Sequence, residues 1–230
     1  MTTLSLIIPA AGSGVRMGTE LAKPFIEIAG KAILKHTIEK FINIQGLKQV
    51  IIVASTQNVP VVRDLISDYT HTDVHILVVE GGKERQDSIY NALQEIDNDI
   101  ELVMVHDAVR PFVKSSQVLR CIQSAVEYGA AVLAIPVRDT IKSVGAENFV
   151  EVTPDRSKLW QVQTPQVFKR ELLINAYEQA MKEGFAGTDD SSLVEAFGGK
   201  VKVVEGEMSN FKITYPIDLK MAEQIIGGEV

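Results

Sequence analysis

The sequence predicts an α/β fold: a mostly parallel, twisted sheet with helices on both faces and one inserted β-hairpin. Three observations carry this. Unbroken apolar runs of strand length recur at residues 4–9, 50–54, 76–79, 102–105 and 131–137, the pattern of strands buried on both faces. Between them, apolar residues fall at helical spacing, as in Leu34, Ile38, Phe41 and Ile42, and again in Ile89, Ala92, Leu93 and Ile96. Between Arg138 and Lys158 the pattern changes to two short β-prone pieces, 140–144 and 149–153, joined by a turn containing Gly145 and Asn148.

Strand and helix in alternation imply right-handed crossovers and a ligand edge beyond the carboxyl ends of the strands. After the hairpin, residues 171–182 read as a helix with Gly184 at its C-terminal cap, and residues 189–197 as a shorter one before Gly198-Gly199. Residues 201–204 and 211–214 are expected as late strands, and Pro216 opens a final helix to about residue 226. Neither repeats nor a low-complexity linker interrupt the order, so residues 1–230 read as one domain.

Charge narrows the partners. A net charge of −7 without a basic run disfavours nucleic acid and anionic membranes, which are held by clustered Lys and Arg. Local phosphate binding needs only a few cations and backbone N–H groups. Cys121 is the only cysteine; it excludes an intramolecular disulfide and a Cys-based zinc site, and reads as core. The start, Met1-Thr2-Thr3-Leu4-Ser5, has no basic segment leading into a long apolar one, and no apolar run approaches about 20 residues. A cytoplasmic protein is expected.

Three loops carry residues suited to phosphate chemistry. The first strand runs into Pro9-Ala10-Ala11-Gly12-Ser13-Gly14-Val15-Arg16-Met17-Gly18, with Lys23 close behind; small residues let backbone N–H groups approach a phosphate, and Arg16 and Lys23 add charge. It is not a P-loop, which needs Gly-x-x-x-x-Gly-Lys-Ser/Thr. Nor is it the dinucleotide fingerprint, because Gly14 is followed by Gly18 and the second strand ends in Ala54-Ser55 without a ribose-binding acid. The third strand ends in Glu80-Gly81-Gly82-Lys83-Glu84-Arg85-Gln86-Asp87-Ser88, where the glycines permit close contact with a base and Ser88 can bond its edge. The fourth ends in His106-Asp107-Ala108-Val109-Arg110. A carboxylate there, among cations, suits a hard Mg2+ ion that also touches phosphate oxygens, whereas His106 suits that ion poorly and reads as structural. The fold brings the three loops to one crevice.

With these residues in view, the chain resembles the 2-C-methyl-D-erythritol 4-phosphate cytidylyltransferase family over nearly its whole length. The resemblance rests on Pro9 through Met17, Lys23-Pro24, Gly81 through Ser88, Val105 through Pro111, Pro136-Val137-Arg138-Asp139-Thr140, Gln163-Thr164-Pro165-Gln166, Thr188-Asp189-Asp190 and Asn210-Phe211-Lys212-Ile213-Thr214. Lys83 stands where some relatives carry an acid, and Val109 where some carry alanine.

The resemblance implies a Rossmann-like nucleotidyltransferase fold and in-line attack by an acceptor phosphate oxygen on the α-phosphorus of CTP, without a covalent enzyme intermediate. Arg16, Lys23 and Lys212 would be catalytic, neutralising the transition state. Ala10, Ala11, Gly12, Ser13, Gly14, Gly82, Asp87 and Ser88 would hold CTP, and Arg110, Thr140, Arg156, Thr164 and Thr188 the acceptor. Asp107 would hold Mg2+, with Mn2+ or another divalent ion as a substitute. The hairpin, at about 138–158, would be a dimerisation arm of a homodimer, carrying Arg156 to the neighbour's acceptor pocket. Ribitol-5-phosphate cytidylyltransferases look similar, but usually begin Leu-Ala-Gly-Gly rather than Pro9-Ala10-Ala11-Gly12, and lack a clear match to Pro154-Asp155-Arg156 with Leu159-Trp160. A non-catalytic nucleotide-binding regulator is the alternative from another class; the set Arg16, Lys23, Asp107 and Lys212 speaks against it.

Overall fold

The computed structural model describes residues 2–12 and 22–228, with backbone alone at Thr70 and His71. Ser13, Gly14 and Arg16, expected at the nucleotide, lie outside the described residues. In chain order the elements are β1 (Leu4–Pro9), β2 (Glu27–Ile28), β3 (Lys31–Ala32), α1 (Ile33–Glu39), β4 (Leu47–Ala54), α2 (Val59–Leu65), β5 (His75–Glu80), α3 (Arg85–Gln94) and β6 (Leu102–Val105). There follow α4 (Ser115–Tyr128), β7 (Ala130–Pro136), β8 (Ser143–Val144), β9 (Val150–Val152), β10 (Trp160–Lys169), α5 (Arg170–Glu183), α6 (Asp190–Ala196), β11 (Lys202–Glu205) and α7 (Pro216–Gly227).

Among the described residues, seven strands form the main sheet in the order β11-β7-β10-β6-β1-β4-β5. All run parallel except β10, which lies antiparallel to both β6 and β7. Successive residues of a strand point to opposite faces, and β1 shows what that demands: Leu4, Leu6 and Ile8 enter one buried cluster and Ile7 another. The first face is covered by α1, α2 and α4 through Leu34, Val62 and Cys121. The second is covered by α3, α5 and α6 through Ile89, Leu173 and Leu193. Both faces being covered is why the strands read as continuous apolar runs. Ser5 is the exception on β1; its hydroxyl donates to Gln49 Oε1 at 3.0 Å, so no buried polar group is left open there.

The inserted hairpin forms as expected from β8 and β9, with Asn148 at φ 63°, a left-handed position that asparagine tolerates. The helix after Lys169 ends at Gly184, whose φ of 66° terminates it. One strand is added and one expectation is corrected. Residues 160–169 form a strand that the pattern did not announce, because three glutamines and Pro165 interrupt the apolar run. The ladder with β7 breaks between Val162 and Gln166, where Pro165 has no N–H to give. Residues 211–214, expected as a strand, are irregular. Their apolar residues serve another purpose: Ile213 is buried with Ile28, Ile33 and Ala222, and the partly buried Phe211 lies 5.2 Å from the Phe112 ring. Among the described residues no helix is long and apolar enough to cross a membrane.

Candidate active site

The carboxyl ends of β1, β5 and β6 meet at one cavity of about 510 Å3, lined by Ala10, Ala11, Gly12, Lys23, Gly82, Arg85, Ser88, Asp107 and Lys212 among others. Beyond β1, the Ala10 N–H still donates to Val53 O at 2.7 Å, so the loop leaves the sheet in register. Beyond β5, a Cβ on Gly81 would lie 2.9 Å from both Ala11 Cβ and Ser88 Oγ; glycine is what lets the two loops touch. The Gly82 N–H donates to Ser88 Oγ at 3.1 Å, and that hydroxyl donates to Glu84 O at 3.0 Å. Ser88 is thereby fixed with one lone pair left for a ligand.

Beyond β6, the His106 N–H continues the ladder to Ile7 O at 3.0 Å, and Asp107 turns into the cavity. Asp107 Oδ2 accepts from Arg110 Nε at 3.0 Å and lies 3.2 Å from Lys212 Nζ. Burial alone would raise its pKa, but Lys212, Arg110 and Arg85 outweigh that and hold the carboxyl well below the usual carboxylate range. The cations are themselves fastened. Arg110 Nη1 donates to Asn210 O at 2.8 Å, and Lys23 Nζ to Thr214 O at 2.8 Å. Residues 210–214 thus deliver Lys212 to the cavity and backbone acceptors to Arg110 and Lys23.

His106 is buried beneath this, its ring centroid 4.6 Å from that of Phe41, and burial pushes its pKa down to about 4. The neutral ring's tautomer follows from its partners. Arg110 O, 3.0 Å from Nε2, can only accept, so the proton sits on Nε2; Nδ1 then accepts from the Thr164 hydroxyl at 3.1 Å. The Thr164 oxygen in turn accepts the Asp107 N–H at 3.0 Å.

The cavity carries Lys23, Lys83, Arg85 and Lys212 against Glu84 and Asp107, a balance suited to a polyanion. Among the described residues no group of three or more His, Cys, Asp or Glu is placed to hold a metal. Asp107 alone fits a magnesium ion of the kind that keeps waters and phosphate oxygens as its other ligands, and does not fit an ion caged by protein.

The sequence profile of the 2-C-methyl-D-erythritol 4-phosphate cytidylyltransferase family matches residues 4–228. The chain belongs to this family. It is 43% identical over 220 residues to the family's enzyme from Caldanaerobacter subterraneus, covering 96% of this chain and 97% of that protein. It is 41% identical to that of Bacillus licheniformis, covering 97% and 96%. Among solved structures, the 4-diphosphocytidyl-2C-methyl-D-erythritol synthase of Anaerococcus prevotii aligns with a TM-score of 0.87 at 34% identity, over 98% of this chain and 96% of that one. The Thermus thermophilus cytidylyltransferase aligns with a TM-score of 0.79 at 33% identity, over 98% of each chain.

Of the residues expected in a cytidylyltransferase site, Ala10, Ala11, Gly12, Lys23, Gly82, Ser88, Asp107 and Lys212 share the cavity. Arg110 and Thr164 lie behind Asp107 and touch it rather than the open space. Asp87 Oδ2 accepts the Glu84 N–H at 3.0 Å, a helix-capping bond at the start of α3. Thr188 is exposed ahead of α6, and Thr140 and Arg156 are exposed on or beside the hairpin, with Arg156 Nη1 donating to Arg138 O at 2.9 Å. Arg85 lines the cavity without having been assigned a role from the sequence. The signal was available in its position at the first turn of a helix that follows two glycines.

Proposed function

We propose that the chain transfers the cytidylyl group of CTP to the phosphate of 2-C-methyl-D-erythritol 4-phosphate, giving 4-diphosphocytidyl-2-C-methyl-D-erythritol and pyrophosphate. The observation that carries the reading is the placement of Asp107, between Lys212 and Arg110, where the ends of three parallel strands meet. An acceptor phosphate oxygen forms a bond to the α-phosphorus of CTP, and the bond from that phosphorus to the bridging oxygen of the β-phosphate breaks, with the electron pair leaving on pyrophosphate. The proteins' part is positioning and charge. Lys23 and Lys212 offset the charge that builds on the five-coordinate phosphorus, and Arg16 joins them by family resemblance. The Gly82 backbone and the remaining lone pair of the Ser88 hydroxyl form the edge against which the cytosine lies.

Asp107 would hold Mg2+, which when bound would supply positive charge to offset that of the phosphates; Mn2+ or another divalent ion would substitute. Arg110 and Thr164 support Asp107 from behind, which makes their action on the acceptor partly indirect. The arm at 138–158 pairs two copies of the chain as a homodimer. Its Val144, Phe149, Val150 and Val152 are exposed, Phe149 by 73%, and an apolar patch of this kind is stable when a second surface covers it. Arg156 then serves the partner's acceptor pocket, Thr140 belongs to the acceptor site, and residues 1–230 act as one domain.

The test is pyrophosphate release from CTP and Mg2+ with 2-C-methyl-D-erythritol 4-phosphate and, in parallel, with ribitol 5-phosphate. The proposal predicts a strong preference for the first. Preference for ribitol 5-phosphate would move the chain to another polyol phosphate while keeping the CTP site, and no release with either would overturn the reaction.

A further inference from the structure

Arg85 opens α3 and lines the cavity, and its guanidinium is held end-on: Nη1 donates to Asp190 Oδ1 at 3.0 Å and Nη2 to Asp190 Oδ2 at 2.6 Å. Asp190 begins α6 and is fully buried. Its Oδ1 also accepts the Tyr177 hydroxyl, from α5, at 2.5 Å. One carboxylate therefore fastens a cation of the cavity to two helices beneath it. Burial works against the charge on Arg85, and Asp190 outweighs that, so the guanidinium stays fully protonated.

An end-on pair uses one N–H of each terminal nitrogen. The side edge of the guanidinium, Nε–H with the outer N–H of the adjacent Nη, is a second fork with the spacing of two phosphate oxygens. No described residue accepts a hydrogen bond from that edge, and the Arg85 side chain is 38% exposed on the cavity side of the pair. A bridge serving only to join helices needs no open edge, and well-packed apolar side chains do that work as well or better. Lys23 and Lys212 line the same cavity, so a ligand bound there is rich in phosphate oxygens.

We propose that Arg85 is a phosphate-binding residue of this site, offering its open Nε–Nη fork to a substrate phosphate, and that Asp190, supported by Tyr177, is the positioning residue that aims it. The inference rests on the proposed function for the identity of the ligands. The phosphate belongs either to CTP or to the acceptor, and the measurement separates the two.

The test uses the full chain with Arg85→Gln and Asp190→Asn introduced together, so that no lone carboxylate is left buried, with circular dichroism to confirm folding. CTP and cytidine affinities are measured by titration calorimetry, and the acceptor KM by steady-state turnover. The expected result is a phosphate-selective loss of about tenfold or more: in CTP affinity with cytidine binding nearly unchanged if the fork serves the nucleotide, or in acceptor KM if it serves the acceptor. Equal weakening of CTP and cytidine with an unchanged acceptor KM, or no change in any of them, would overturn the proposal. Should the double variant not fold, Arg85→Lys keeps a charge beside Asp190 and removes the fork; the same selective loss supports the proposal, and parent-like values overturn it. Asp190→Asn alone should raise the same constant that Arg85→Lys raises; a fall in stability with that constant unmoved would remove the positioning role. Turnover by the parent chain is read in the same series, so failure of the reaction itself is seen apart from failure of this inference.

Discussion

The backbone N–H of Asp107 donates to Thr164 Oγ1 at 3.0 Å, and this bond ties the carboxylate facing the cavity to the one strand of the main sheet that runs against the others. Because the Thr164 proton goes to His106 Nδ1 at 3.1 Å, the hydroxyl holds Asp107 by accepting and His106 by donating. Thr164→Val keeps the shape and removes both bonds. Each buried group left without a partner costs about 1–3 kcal/mol, so thermal unfolding should show a clear drop in Tm, with kcat/KM falling by about tenfold or more as Asp107 loses its hold. Thr164→Ser should keep most of both, and equal damage by the two substitutions would show that the hydroxyl is not the operative group.

His106 gives the fold a pH dependence whose sign can be worked out. Its pKa in the folded chain is about 4, against an ordinary value of 6.5, so below pH 6.5 the unfolded chain takes up a proton that the native ring refuses. Stability is therefore full above that value and is lost as pH falls towards 4, by about 3 kcal/mol in all at about 1.4 kcal/mol per unit. The depressed Asp107 carboxyl acts in a lower window, because its contribution is present above the ordinary carboxylate value of 3.8 and is lost only as pH falls through its folded pKa. Urea unfolding at pH 7 and pH 4.5 checks this. His106→Gln should lose roughly one proton's worth of that slope, and a variant with an unaltered slope would contradict the assignment.

Lys23 and Lys212 line the cavity, and kinetics separates the proposed transition-state role from simple binding. Lys23→Ala should lower kcat by about 10²-fold or more with a smaller change in KM. A rise in KM with kcat intact would instead make Lys23 a ground-state anchor.

The arm offers a test that needs no structure of the dimer. If Arg156 acts in the neighbour's pocket, mixing inactive Arg156→Ala and Lys23→Ala chains should restore part of the activity after subunit exchange, because some sites then contain both native residues. Confirmed exchange without recovery would count against the crossing arm.

Much of this was legible in the sequence, and the reasons for the rest are physical. The strands β1, β4, β5, β6 and β7 announce themselves because a sheet covered on both faces needs an unbroken apolar run. The strand β10 does not, because its glutamines are spent on specific bonds: Gln163 Nε2 donates to Glu207 O at 2.9 Å and Gln166 Nε2 to Asp189 Oδ2 at 2.7 Å. Residues 211–214 mislead in the opposite direction, since Phe211 and Ile213 are apolar for the sake of α7 and the small sheet rather than for a ladder. At the site, residue chemistry singled out Asp107 and Lys23 and the family resemblance singled out Lys212, all of which line the cavity, whereas the capping bond of Asp87 and the bridge from Arg85 to Asp190 depend on where α3 and α6 come to rest. Arg85 and Asp190 stand 105 positions apart, and no local pattern links them.

The most direct test of the central claim is 31P nuclear magnetic resonance of the chain with CTP, Mg2+ and 2-C-methyl-D-erythritol 4-phosphate. The account predicts that the CTP and acceptor signals decline together while a diphosphate diester and pyrophosphate appear in equal amounts. Release of orthophosphate, or loss of CTP without a new diester, would contradict it.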